Sequence, residues 1–292
     1  MLSRISYKAQ LRLFLVPFIV GSLVLVVIPA LATFAIAFTE YNSIQPPQWA
    51  GITNFIKLYE STMVRSSIRS TVLFLLIAVP LRLAGALLLA LLLQSKRRLF
   101  GLHRSVAYVP TVIPEVAYAI IWLWIFNPLY GPLNKLLEAI GLSGVDWLAG
   151  SDTAQAGIII MFLFTIGEGF IVMLVGLRSI PRSLYESATV DGASAWQAFW
   201  RITFPLIMPW LLLLSFRDLI VSMQNTFTPS FVMTYGGPYY ATTYVPLMIY
   251  EIAFDFFDFG MAAAALVATY VVLLLIIGGV LNIVSGWGST DA

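Results

Sequence analysis

The sequence predicts an all-α membrane protein with six transmembrane helices, and three observations predict it. Of 292 residues, 60% are hydrophobic and only 10% are charged, against roughly a quarter charged in ordinary soluble domains. Six apolar runs are each long enough to supply the roughly 20 residues of helix that cross a hydrocarbon core. Lysine and arginine concentrate in alternate connections between those runs. A soluble globule of this length cannot hide so much apolar surface, and disorder requires the opposite composition. The absence of cysteine excludes disulfides, thiol catalysis and thiolate metal sites, and one histidine, His103, cannot build a histidine-rich metal site.

Taken in order, the spans are expected at residues 13–38, 71–93, 105–126, 154–177, 205–228 and 261–284. The first exceeds the roughly 7–15 apolar residues of a secretory signal, so it reads as a retained anchor, with Pro17 and Pro29 near its ends. The longest connections, 39–70 and 229–260, hold 32 residues each. No soluble domain fits, no G-x-x-x-x-G-K-[ST] phosphate loop occurs, and residues 1–292 read as a single transmembrane domain. Arg4, Lys8, Arg12, Lys96, Arg97, Arg98, Arg104, Arg178, Arg182 and Arg201 put ten positive charges on one side, against four (Lys57, Arg65, Arg69, Lys135) on the other. That bias places both termini in the cytoplasm. Residues 234–246 read as an outward loop and 247–259 as a short interfacial helix. Internal repeats are not evident, so an inverted-repeat carrier gains no direct support.

Residues 178–204 form a connection far longer than the few residues two spans need. Pro181 suits the first turn of a helix, Asp191-Gly192 ends it, and Ser194 to Gln197 has capping-box spacing for a second helix running towards Pro205. The plain reading is an amphipathic element on the membrane with a solvated Arg182–Glu186 pair, worth a few tenths of a kcal/mol. The sharper one is a knob that docks into a cytoplasmic partner. The loop resembles the signature E-A-A-x3-G-x9-I-x-L-P of the inner-membrane subunits of binding-protein-dependent ATP-binding-cassette importers. Here it reads Glu186-Ser187-Ala188, Gly192, Ile202, Phe204 and Pro205, with every spacing kept and Ser187 and Phe204 as departures. Phe38-Thr39-Glu40-Tyr41-Asn42, Asn54-Phe55, Asn127-Pro128, Tyr130-Gly131, Thr234-Tyr235-Gly236-Gly237-Pro238, Tyr250, Ala253-Phe254 and Gly260 extend the resemblance over the whole chain. They make it similar to the carbohydrate branch, the maltose- and glycerol-phosphate-type permeases.

The resemblance implies a coupling helix seated on a separate ATPase, with Glu186, Ser187, Ala188, Asp191, Gly192, Ile202 and Pro205 as coupling residues. It also implies a second permease subunit in a heterodimer, two ATP-binding-cassette ATPase subunits, an extracytoplasmic solute-binding protein, a carbohydrate substrate and a prokaryotic inner membrane. Nucleic acid is not among the partners, no cofactor is bound by this chain, and ATP is used by the partner.

Arg82, Glu115, Glu168, Arg217 and Asp218 lie within spans, where an unpaired charge is costly. Arg82 is expected to pair with Glu115 or Glu168 in at least one transport state, as a structural contact or as part of a polar path. Arg217-Asp218 is expected to meet the sister subunit. Ser222, Gln224, Asn225 and Thr226 are candidates for the substrate path. Trp122, Trp124, Tyr130, Tyr235, Tyr239, Tyr240 and Tyr244 read as an interfacial aromatic belt, or as rings on which sugars stack. The intramembrane carboxylates keep one alternative open, an ion-coupled secondary carrier. A membrane enzyme finds no nucleophile–base pair in any loop.

Overall fold

The computed structural model describes residues 7–94 and 100–288. Arg4 and the run Lys96, Arg97 and Arg98, on which part of the expected orientation rests, lie outside the described residues. Helices α1 (Tyr7–Ser22) and α2 (Ile28–Ile36) join through a widened turn at Leu23–Val27. An antiparallel ladder, β1 (Thr39–Glu40) with β2 (Gln48–Trp49), precedes α3 (Thr53–Glu60) and α4 (Thr62–Leu92). Then follow α5 (Phe100–Tyr108), α6 (Glu115–Ile125), α7 (Pro132–Ala139), α8 (Ser151–Leu163), α9 (Gly167–Ser179) and α10 (Arg182–Val190). The last are α11 (Ala195–Ala198), α12 (Phe204–Asn225), α13 (Phe227–Pro229), α14 (Val245–Tyr250) and α15 (Phe259–Gly288).

Four helical runs among the described residues are long and apolar enough to cross a membrane: Leu11–Ile36, Thr62–Leu92, Ala195–Thr234 and Phe259–Gly279. Two bent pairs raise the number to six if each is one span: Arg104–Val112 with Glu115–Ile125, bent by 105°, and Ser151–Leu163 with Gly167–Ser179, bent by 48°. The continuous third and fourth spans expected from hydropathy are therefore broken. In the third, apolar content is blind to the cause: Pro114 lacks an N–H and forces Ile113 into an extended conformation. The second span begins about two turns earlier than expected, because Arg65 and Arg69 end an apolar run without ending a helix. The fifth extends backwards through α11, since the turn at Phe199–Thr203 widens just before Pro205 and leaves room for its ring.

The chain forms two compact units, Met1–Ser61 with Ile249–Ala292, and Thr62–Met248. In the first, α15 packs on α2, α3 and β1. Buried Asn54 donates its amide to the carbonyls of Ala37 (2.9 Å) and Thr39 (2.8 Å), while Phe38 lies against Phe34, Trp49 and Phe55. In the second unit α4 packs against α8, α9 and α12. Phe74 and Ala78 of α4 join one apolar cluster with Trp122, Phe126, Phe162 and Tyr244. Ala86 and Ala90 join another with Phe170, Met173, Ile207 and Leu214.

Trp122 and Tyr244 thus belong to the core rather than to an aromatic belt; Trp124, Tyr130, Tyr235, Tyr239 and Tyr240 are exposed. The expected short helix at 247–259 exists from Val245 to Asp255; Val245, Leu247, Met248 and Ile252 face inward, while Phe254, Phe256 and Phe257 are exposed.

Between that helix and α15, burial, together with Asp255 one turn on, raises the Glu251 carboxyl from 4.5 to about 7. A carboxyl raised in the folded state holds a proton that the unfolded chain releases, so stability falls as pH climbs from the unfolded value towards the folded one. The thermal midpoint in detergent is expected to drop by a few degrees between pH 5 and pH 8. Glu251→Gln is expected to flatten that slope; an unchanged slope assigns it to other groups.

Candidate functional site

The side chain of Arg82 sits between the two apolar clusters that α4 serves. Its Nη1 lies 3.0 Å from Asp218 Oδ1, with side-chain exposures of 11% and 9%. Nη1 also donates to Ser222 Oγ (2.6 Å), Nη2 donates to the Thr165 carbonyl (3.0 Å), and the guanidinium carbon stands 5.7 Å from the centre of the Phe162 ring. The expected pairing with Glu115 or Glu168 is therefore not the one this structure contains. Successive residues on a helix point about 100° apart, so Asp218 turns to α4 while Arg217 turns to α9 and pairs with Glu168. Both members of the Arg217-Asp218 dipeptide find partners within the chain. Glu115 accepts a hydrogen bond from Thr228 Oγ1 at 2.9 Å.

A cavity of about 130 Å³ opens beside this charged layer, lined by Arg82, Glu115, Tyr118, Glu168, Arg217 and Asn225 among others. The two helix breaks create it. α6 begins at Glu115 after Pro114, and α9 begins at Gly167, one residue before Glu168. Each carboxylate occupies the first turn of a half-helix, where exposed N–H groups favour negative charge. Gly167 permits the approach of α9 to the end of α5: a Cβ there would stand 2.7 Å from the Ala107 carbonyl. Of the expected path residues, Asn225 lines the cavity, Asp218 and Ser222 lie behind it holding Arg82, and Gln224 is exposed and does not line it. Thr226 is buried and bonds back to the Met223 carbonyl. Tyr118, whose hydroxyl donates to the Met161 carbonyl, was not expected, nor were Thr165 and Thr228. Pro110 and Pro114 inside an apolar run, and Gly167 with Gly169 inside another, were the available signals.

Residues 178–204 fold as two short helices with a defined turn. α10 closes with Ala193 N–H bonded to the Ala188 carbonyl and Gly192 N–H to that of Thr189, while Gly192 takes φ +75°, the left-handed conformation this closure requires. Nothing would crowd a Cβ at Gly192, so the demand is on the backbone alone. The capping box forms in both directions between Ser194 and Gln197. Tyr185 and Thr203 hydroxyls meet at 2.8 Å and tie α10 to the following helix. Ala188, Asp191, Gly192, Gln197, Arg201 and Ile202 border a groove of about 380 Å³. Glu186 and Ser187 are exposed outside it, and no ion pair joins Arg182 to Glu186 among the described residues.

Residues 82–287 match the family described as binding-protein-dependent transport system inner membrane component. The chain belongs to that family. Within it, the chain is 33% identical over 259 residues to the probable ABC transporter permease protein YesP of Bacillus subtilis, covering 86% of this chain and 82% of that one. To the trehalose/maltose transport system permease protein MalF of Thermococcus litoralis it is 30% identical, with 93% of each chain covered. A crystal structure of a bacterial ABC transporter involved in the import of the acidic polysaccharide alginate superposes with TM-score 0.81 at 25% identity, covering 94% of each chain. The chain is accordingly a multi-pass membrane protein of a transport family.

Arg82→Ala leaves Asp218 buried without its cation and is expected to cost about 3–5 kcal/mol. Arg82→Ala with Asp218→Ala should recover part of that loss. Unfolding in detergent, run as a double-mutant cycle, is expected to give coupling above about 1 kcal/mol for this pair and near zero for Arg82 with Glu115. Zero coupling between Arg82 and Asp218 removes the pair from the account.

Proposed function

We propose that the chain is one permease half of an ATP-driven importer for a carbohydrate or sugar-like solute. In this reading residues 1–292 act as one transmembrane domain, with six spans when each bent pair counts as one and with both termini in the cytoplasm. A second permease subunit completes the path as a heterodimer, two ATP-binding-cassette subunits hydrolyse ATP, and an extracytoplasmic binding protein delivers the solute. The chain itself holds no cofactor and performs no covalent chemistry. Relatives named for trehalose/maltose and lactose transport support the sugar class. The crystal structure of a bacterial alginate ABC transporter in complex with an alginate pentasaccharide-bound periplasmic protein supports the delivery partner.

One observation carries the coupling assignment. The second of the two short helices, α11, capped by Ser194, runs without a break into the helix whose Arg217 and Asn225 line the cavity and whose Asp218 holds Arg82 behind it, and α10 is tied to the start of that run by the Tyr185–Thr203 contact. A partner that displaces α10 and α11 therefore acts directly on the charged layer. An ion-coupled carrier is disfavoured, because the family and the relatives are those of binding-protein-dependent and ABC transport systems.

The purified chain alone is expected to hydrolyse no ATP. In the complex reconstituted with its cognate partners, Gly192→Val introduces left-handed strain of about 1 kcal/mol or more. ATP hydrolysis is then expected to lose its response to loaded binding protein while the chain still inserts. Gly192→Asn, which tolerates that conformation, should retain most of the response. Glu186→Lys should impair uptake more than Glu186→Ala does. Full stimulation and uptake in both Gly192→Val and Glu186→Lys would make this loop a mere connector.

A further inference from the structure

The charged groups around the cavity do not balance. Two cations, Arg82 and Arg217, each hold one carboxylate, Asp218 and Glu168. Glu115 is left with only the Thr228 hydroxyl as partner, and no cation stands within ion-pair distance of it among the described residues. It is exposed on the cavity wall rather than buried behind it.

The helix ends add to this asymmetry. A half-helix N-terminus at membrane depth is a ready seat for an anionic group of a solute. Here each such first turn at the cavity already carries a fixed negative charge of the chain itself, Glu115 at the start of α6 and Glu168 in the first turn of α9. The two guanidinium groups that an anionic solute would otherwise meet are each neutralised by a carboxylate of the chain. What remains for a solute is the amide of Asn225, the acceptor capacity of the Thr111 and Tyr118 hydroxyls, whose protons go to the Tyr108 and Met161 carbonyls, and one surplus negative charge.

We infer that this half of the path is an anion-rejecting, cation-tolerant stretch suited to uncharged or positively charged saccharides and unsuited to uronates. The inference rests on the reading of the cavity as part of the translocation path. It sets this chain apart from structural neighbours described for an acidic polysaccharide. Glu115 is the residue that sets the sign.

The chain contains no cysteine, so a single introduced thiol reports on the cavity without background from this subunit. Asn225→Cys is the first reporter and Thr111→Cys the second, should the first fail to assemble. Each is assembled with its cognate partners in proteoliposomes and treated with a trimethylammonium-bearing or a sulfonate-bearing methanethiosulfonate, and modification of this chain is followed by intact mass. Rates are normalised to those of the same reagents with a small free thiol. The normalised cation-to-anion ratio is expected near tenfold, the lower end of what a charged, low-dielectric cleft produces, and Glu115→Gln is expected to bring it close to one. A ratio at or below one, or a ratio that Glu115→Gln leaves unchanged, overturns the inference. Failure of both reagents to reach either thiol from either side overturns the path reading itself, and the selectivity falls with it.

Discussion

A guanidinium in the middle of an apolar helix must be met by acceptors from its own protein, because lipid offers none. Much of the Thr62–Met248 unit is arranged around that requirement. Arg82 draws its acceptors from two other helical segments: Asp218 and Ser222 from α12, and the Thr165 carbonyl from the break between α8 and α9. That carbonyl is available because the broken helix no longer claims it for an internal bond. The break and the arginine thus explain each other. The interruption in the fourth apolar run is stabilised by Arg82, and Arg82 is tolerated at that depth because the interruption exposes a carbonyl.

The same economy of helix ends governs the neighbouring glutamates. A break in a spanning helix leaves N–H groups on one side and carbonyls on the other without helical partners. Glu115 and Glu168 stand in the first turns on the N–H side of the two breaks, and Arg82 serves the carbonyl side of one of them. Prolines inside otherwise continuous spans are handled differently. Pro29 and Pro205 each follow a five-residue widened turn, Leu23–Val27 and Phe199–Thr203, by one intervening residue. The helix there keeps its direction, whereas Pro114 follows an extended residue and the direction changes by 105°.

Hydropathy made the positions of the apolar runs legible, and short-range rules made the 178–204 segment legible almost atom by atom. The left-handed Gly192, the reciprocal Ser194–Gln197 bonds and the helix start near Pro181 all follow from local chemistry that needs no partner at a distance. The charged layer was legible as a set of residues and not as a set of pairs. Which of three carboxylates an arginine takes depends on helix rotation and on where two spans break, and neither is written in an average of apolar content. The dipeptide Arg217-Asp218 shows the difficulty: adjacent in sequence, its members serve different helices. Trp122 and Tyr244 illustrate the converse, since aromatic residues near span ends are placed inside or outside by packing that composition does not encode.

The unbroken run from Ala195 to Thr234 has a mechanical consequence. Asp218 lies 23 residues beyond Ala195, about 34 Å at the usual rise of a helix. A rigid rod of that length, tilted by about 10° at its Ala195 end, sweeps its far point through about 6 Å, close to one helical pitch. That distance exceeds the reach of an ion pair. A small angular input at the two short helices is therefore amplified, by lever geometry alone, into a displacement large enough to part Asp218 from Arg82.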